Sequence, residues 1–347
     1  MKSVLWPLAI SIFVLSVEAW AQPPDTLWSR VYRSSRMEQA AALDTAFDGG
    51  YVMCGTVYDS IGGPADAIIR KLDSLGNVQW AWRLAHSTVS EGAYDIIQAS
   101  DSAFVWVGDY WSGPESGLYV VKCSGPGDSL WSRWIDMGAF TRAASVIEAH
   151  DGGYLIAGDA SIHVPPSVTV IAKFSQTGDS SWMRFYSRGS QLRFDVRDMI
   201  ALPDGGFAFV CQTFNPYRPL PRYLSLVRCD SAGDTLWTRD YEHPSGSLWP
   251  INMCATPDGG FLISGELEAD HFYAYLLCVN SIGDTLWSKN SANGTMGVSA
   301  GRIGPASSTG YILCGSVLSV GGSEVSLLRL LPNGDVLWNH HVRLAEY

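Results

Sequence analysis

Residues able to carry acid–base, metal or anion chemistry are few in this chain and lie far apart. His243 and His271 fall in stretches expected to connect strands, with Glu266, Glu268 and Asp270 beside the second of them. Imidazoles with carboxylates could hold a metal or move a proton, although solvated loop residues give the same pattern. Asp95, Asp198 and Asn252 occupy one recurring position, which Ala42, Ser145 and Arg302 share. Convergent carboxylates there are what a hydrolase would need. Arg142, Arg193, Arg197 and Arg302 sit close to the same recurring segments. The chain has seven cysteines, but no C-x-x-C or His-Cys spacing and no D-x-D-x-D run, so neither a metal nor another cofactor is expected.

Aromatic and basic residues gather in the more variable connections. Trp111, Tyr217, Arg218, Arg222, His243, Trp249 and His271 are the candidate ligand-binding residues, since exposed aromatics beside arginine are typical anchors of a binding surface. A second basic series, Lys71, Lys122, Lys173, Arg228 and Arg329, interrupted at Cys278, recurs once per repeat. Basic residues spread so evenly fit structural pairing better than a nucleic-acid patch.

What positions these residues is a repeat. Trp28, Trp80, Trp131, Trp182, Trp237, Trp287 and Trp338 recur every 50 to 55 residues, and from Trp80 onward each has glycine four residues ahead of it. In step run Asp48-Gly-Gly-Tyr51, Asp101-Ser-Ala-Phe104, Asp151-Gly-Gly-Tyr154, Asp204-Gly-Gly-Phe207, Asp258-Gly-Gly-Phe261 and Ser308-Thr-Gly-Tyr311. Short β-branched or aromatic runs between Gly/Asp turns are strand and hairpin signals. Each unit therefore reads as strands A to D, in the first unit Ala40–Ala46, Tyr51–Val57, Ala67–Asp73 and Val78–Leu84. Second strands such as Tyr154-Leu-Ile-Ala-Gly158 are apolar throughout, as a strand buried on both faces must be. The expected fold is all-β, a six-bladed β-propeller of four-stranded antiparallel blades. Each tryptophan is expected to wedge between adjacent blades.

The Gly-x-x-x-Trp turn resembles the tryptophan-docking repeat of quinoprotein-type propellers, and the Asp-Gly-Gly-(Tyr/Phe) strand resembles repeats of secreted bacterial propeller proteins. The likeness spans residues 25–342. Kelch-like repeats are looser relatives, because their Gly-Gly doublet closing strand B is missing. The vicinal cysteine pair of quinoprotein dehydrogenases is absent. The arginines near the inner strands resemble the cluster of sialidase propellers, but Asp-box turns are lacking.

Residues 1–21 read as a signal peptide, with Lys2, an apolar run from Val4 to Val17, and Ala19-Trp20-Ala21 before the cleavage point. Residues 22–347 are then one propeller domain, secreted or periplasmic. A net charge of −11 argues against nucleic acid or an anionic membrane as partner, and no later stretch is apolar enough to span a bilayer. The expectation is a monomeric, exported, non-catalytic binding scaffold that meets a protein or glycan on the face carrying the B–C and D–A loops. The alternative is a carbohydrate-active or other hydrolytic enzyme with its site at the ring centre. Register places Cys54, Cys314, Cys123, Cys229 and Cys254 at small apolar core positions, unpaired. With seven tryptophan strands for six sets of A to C, Thr26–Tyr32 is expected to complete the last blade beside Val325–Leu331.

Overall fold

The computed structural model describes residues 27–32, 36–58, 63–85, 89–113, 115–137, 141–161, 167–189, 191–291, 299–306, 309–319 and 322–343. Residues 1–21, and with them the signal-peptide reading, lie outside the described residues.

The strands form six separate four-stranded antiparallel sheets, each in chain order. Blade 1 is β1 (Met37–Thr45), β2 (Tyr51–Tyr58), β3 (Ala65–Leu72) and β4 (Val78–Leu84); blade 2 is β5 (Ser90–Gln98), β6 (Phe104–Trp111), β7 (Ser116–Cys123) and β8 (Ser129–Asp136). Blade 3 is β9 (Thr141–Glu148), β10 (Tyr154–Ala160), β11 (Val168–Phe174) and β12 (Ser180–Tyr186); blade 4 is β13 (Arg193–Ala201), β14 (Phe207–Asn215), β15 (Arg218–Cys229) and β16 (Thr235–Tyr241). Blade 5 is β17 (Ser247–Ala255), β18 (Phe261–Glu268), β19 (Phe272–Val279) and β20 (Thr285–Asn290); blade 6 is β21 (Ser299–Pro305), β22 (Tyr311–Ser319), β23 (Gly322–Leu330) and β24 (Val336–Arg343). The expected all-β propeller is the fold, and no α-helix occurs among the described residues.

The tryptophan does not wedge at random. Trp80 lies on Gly127 of the next repeat, Trp131 on Gly178, Trp182 on Gly233, Trp237 on Gly283 and Trp287 on Gly334. All five glycines have positive φ, which glycine alone adopts without strain. A Cβ at Gly178 would stand 2.7 Å from the Trp131 ring. The same rings meet the aromatic that opens the next strand B, as in Trp80–Phe104, Trp131–Tyr154 and Trp237–Phe261. Apolar cores fill the successive junctions from blade 1 to blade 6.

The basic series is structural. Lys71 binds Asp48, Lys122 binds Asp101, Lys173 binds Asp151 and Arg228 binds Asp204, each across its own A–B turn. Blade 6 has no Asp in this turn, and there Arg329 donates to the backbone carbonyls of Thr309 and Tyr311. Blade 5 has Cys278 in place of the cation, and there Asp258 accepts from Thr256.

Ring closure differs from the expectation. The outer strand of blade 6 is β24, paired with β23, so of the expected Thr26–Tyr32 strand the described part, Leu27–Tyr32, does not take that edge. Leu27–Tyr32 instead docks on blade 1: Trp28 lies on Gly76 and donates to the Ser74 carbonyl at 3.0 Å, while the Tyr32 hydroxyl donates to the Gly76 carbonyl at 2.7 Å. Tyr186 and Tyr241 make the same bond to Gly233 and Gly283. The amino-terminal segment thus imitates a strand D without a blade of its own. The physical reason is that docking on the next turn and pairing with a strand C are separate interactions, and this segment makes the first.

The seam between blades 6 and 1 is thinly packed. Cys314, expected in the core, is exposed, whereas its equivalents Cys54, Val107, Ala157, Val210 and Ser264 are buried. Among the described residues no apolar cluster joins blade 6 to blade 1.

Trp182→Ala is expected to cost about 2–3 kcal/mol, the burial of one large aromatic, in a urea melt. Trp28→Ala should cost a similar amount. A loss at Trp28 below about 1 kcal/mol would mean that the amino-terminal segment is not docked.

Candidate functional site

The ring centre is built from the A strands, and each of these carries an irregularity against its strand B. The register shifts lie between Ala40 and Ala42, Ala93 and Asp95, Val196 and Asp198, Pro250 and Asn252, and Ala300 and Ile303; in blade 3 the shift falls between Ala157 and Gly158 of β10. A bulge leaves one residue unpaired and re-aims side chains. The strand-B glycine opposite it is what makes room: a Cβ at Gly108 would stand 2.0 Å from the Gly92 carbonyl oxygen, and one at Gly55 2.1 Å from that of Gln39.

Just after the bulges, the recurring polar position forms a belt. Asp95 accepts from the Val146 amide at 2.9 Å, Asp198 from the Met253 amide at 2.8 Å and Asn252 from the Ile303 amide at 2.9 Å. Each side chain thereby ties its blade to the next. Ser145 Oγ lies 3.2 Å from Asp95 and 3.4 Å from Asp198. The Asn252 amide donates to Asp198 at 2.6 Å, and Arg302 reaches past small Ala42 to Asp95 at 3.4 Å. The sequence column is therefore one connected network.

A serine hydroxyl has one hydrogen, so it cannot donate to both carboxylates. The geometry is satisfied when Asp198 keeps its proton, donates to Ser145 Oγ, and Ser145 donates to Asp95. Enclosure in the ring pushes the Asp198 carboxyl up to about 7 and also raises Asp95.

Above the belt, where the A strands begin and the B strands end, lies a pocket of about 300 Å³. Its walls include Gln39, Thr56, Tyr58, Tyr94, Arg142 and Arg197. Tyr94 and Arg197 are residues skipped by the register shifts of β5 and β13. The Arg197 guanidinium donates to Gln212 Oε1 at 2.7 Å, and burial together with Arg142 lowers its pKa. Behind them, burial pushes Asp109 up to about 6, and burial with neighbouring Asp195 raises Asp159 well above the usual carboxylate range.

The candidates named from sequence are dispersed. Arg222 is sandwiched between Phe214 and Trp249, 4.2 Å from each ring centre, and Trp249 donates to Glu268 at 2.9 Å. His243 packs on Tyr275 and His271 on Tyr273, while Asp270 accepts from the Tyr273 hydroxyl. The two histidines are thus engaged with separate tyrosines. Tyr217 and Arg218 are exposed at the tip of blade 4, and Trp111 is exposed on blade 2. The long loop expected around Phe214 to Arg222 is instead a tight turn between β14 and β15. Asn215 Oδ1 accepts the Tyr217 amide and lets the two strands continue to their ends. Tyr94, and the convergence of Arg197 with Arg142 on one pocket, escape a sequence reading because register shifts set Tyr94 and Arg197; the recurring strand-B glycine was the available signal.

No family model and no curated protein sequence matches the chain. Solved structures do. A protein of unknown function from Dyadobacter fermentans is 12% identical with a TM-score of 0.55, covering 88% of this chain and 94% of that one. Sqt1 from Chaetomium thermophilum is 12% identical with a TM-score of 0.50, covering 89% and 73%. Prolyl oligopeptidase B from Galerina marginata is 11% identical with a TM-score of 0.50, covering 89% of this chain and 43% of that one. Likeness at this identity is likeness of fold, and it defines the chain's class as a β-propeller.

Asp198→Asn tests the belt. The raised folded pKa means that the native state holds a proton which the unfolded chain releases near pH 4, so this group's contribution to stability declines between about pH 4 and 7. The asparagine variant, which mimics the protonated form, should gain stability relative to wild type as pH rises through that window. A difference that stays constant from pH 4.5 to 7.5 in chemical melts would show that Asp198 is ionised throughout.

Proposed function

We propose that this protein is an exported binding propeller that takes a glycan on the face bearing the B–C and D–A loops. The observation that carries this reading is the contrast between the two faces. On one, the A–B turns are near-identical and their acidic side chains are mostly tied to the basic series. On the other, an axial pocket with two tyrosines, two arginines, a glutamine and a threonine opens, and Trp111, Tyr217 and Phe272 stand exposed at the same strand ends. Aromatic faces stack on sugar rings, and amide and hydroxyl groups match sugar hydroxyls. Export through residues 1–21 and a monomeric state belong to the same reading, as does the resemblance to secreted quinoprotein-like and Kelch-like repeats.

The hydrolase alternative rests on the Asp95–Ser145–Asp198 chain, whose proton is held near neutrality. Both carboxylates, however, already accept a backbone amide of the next blade, which favours a structural role.

A glycan array probed with residues 22–347 should give binders. Tyr94→Ala and Tyr58→Ala should each weaken the strongest of them about tenfold, the loss of one stacking or hydrogen-bonding side chain, and Asp198→Asn should leave it bound. Retained affinity in both tyrosine variants, with loss on changing the Asp48-Gly49-Gly50 turn, would place the ligand on the other face. Turnover of a glycan that Asp198→Asn abolishes would establish the hydrolase.

A further inference from the structure

The axial pocket carries a charge imbalance that the fold does not use. Arg142 and Arg197 both line it. Arg197 has one hydrogen-bonding partner, the neutral side chain of Gln212. The Arg142 guanidinium makes no ion pair or hydrogen bond among the described residues and is exposed to the pocket.

Among the described residues the acids nearby form no ion pair with these guanidiniums. Asp159 is buried, accepts the Val196 amide and is driven toward the neutral acid, while Asp109 accepts the Ala143 amide. Asp195 is engaged by Ser167 and by Arg193 at 3.5 Å. Two guanidiniums that line one pocket with open donors form a receptor for a planar anion, which arginine grips through paired N–H bonds. Tyr58 and Tyr94 stand in the same wall, the Tyr94 hydroxyl being held by Asp109.

We infer that the pocket selects a carboxylate-bearing sugar, a uronic-acid residue of a glycan, with its carboxylate between Arg142 and Arg197 and its ring against Tyr58 and Tyr94. This rests on the glycan reading above and adds the charge of the ligand. The chain as a whole is acidic, with a net charge of −11, so long-range steering works against an anionic glycan. Selection has to come from this local pair, and it should survive moderate salt because the contacts are enclosed.

The test is isothermal titration of residues 22–347 with a uronic-acid oligosaccharide, its carboxyl-reduced neutral counterpart, and the free uronate monosaccharide. The acidic oligosaccharide should bind at least about tenfold more tightly than the neutral one, the worth of one charge-assisted pair. Arg142→Met and Arg197→Gln should each remove that preference, with melting temperatures compared to confirm folding. Equal affinity for the acidic and neutral oligosaccharides would overturn the inference and leave the glycan reading standing. Binding of the monosaccharide, lost in Arg142→Met, without binding of either oligosaccharide would support the anion pocket and overturn the glycan reading. No binding of any of the three would overturn the inference.

Discussion

The stacking of a tryptophan on a glycine of the following repeat is the contact on which the rest of this ring depends. Its two halves lie about one repeat apart, and each is useless alone: the ring needs a surface without a Cβ, and the turn needs positive φ, which only glycine supplies cheaply. Because Trp80 meets Gly127 and Trp131 meets Gly178, each of blades 2 to 6 is held by the one before it, and blade 1 by Trp28. The Lys71–Asp48, Lys122–Asp101 and Lys173–Asp151 pairs then fix the A–B turn near that junction. Blade 6 shows how interchangeable this second device is, since Arg329 there uses backbone carbonyls.

At the axis a different constraint operates. Six A strands crowd together, and bulges relieve the crowding by pushing carbonyls of the A strand toward strand-B glycines. Pocket and belt both follow from that adjustment. The residue skipped at the bulge, Tyr94 or Arg197, faces the pocket. The next one, Asp95 or Asp198, turns to the neighbouring blade and accepts its amide. Recognition and cohesion are therefore adjacent outcomes of one local distortion, and a carboxylate at the centre of the ring is not in itself a sign of chemistry.

Much of the architecture was legible in the sequence because it is written six times. The tryptophan spacing, the Asp-Gly-Gly turns and the apolar B strands located the blades to within a few residues; Val78–Leu84 is β4 to the residue. The polar column of Asp95, Ser145, Asp198, Asn252 and Arg302 was likewise visible as a column, and the structure joins it into a network. What was not legible depends on departures from the repeat. Arg222 and Trp249 look like free anchors in sequence, yet the guanidinium stacks on the indole across the junction of blades 4 and 5. Arg142 and Arg197 occupy different positions in their repeats and meet only because one of them sits on a bulge. Cys314 matches its buried column in every local respect, and its exposure follows from which blade is last.

That last blade gives the seam its meaning. Trp28 already lies on Gly76, the surface to which the tryptophan of β24 would otherwise pass the ring, so the chain of contacts ends there. Arg302 of blade 6 reaches over blade 1 to Asp95 of blade 2. A duplicated unit of the gene inserted after β24 would meet the exposed face at Cys314 on one side. It would also present its own turn to Trp338. Blade number in such a ring is thus open to change by unequal crossing-over at one place, and the amino-terminal clasp is what allows the count to vary without breaking any existing junction.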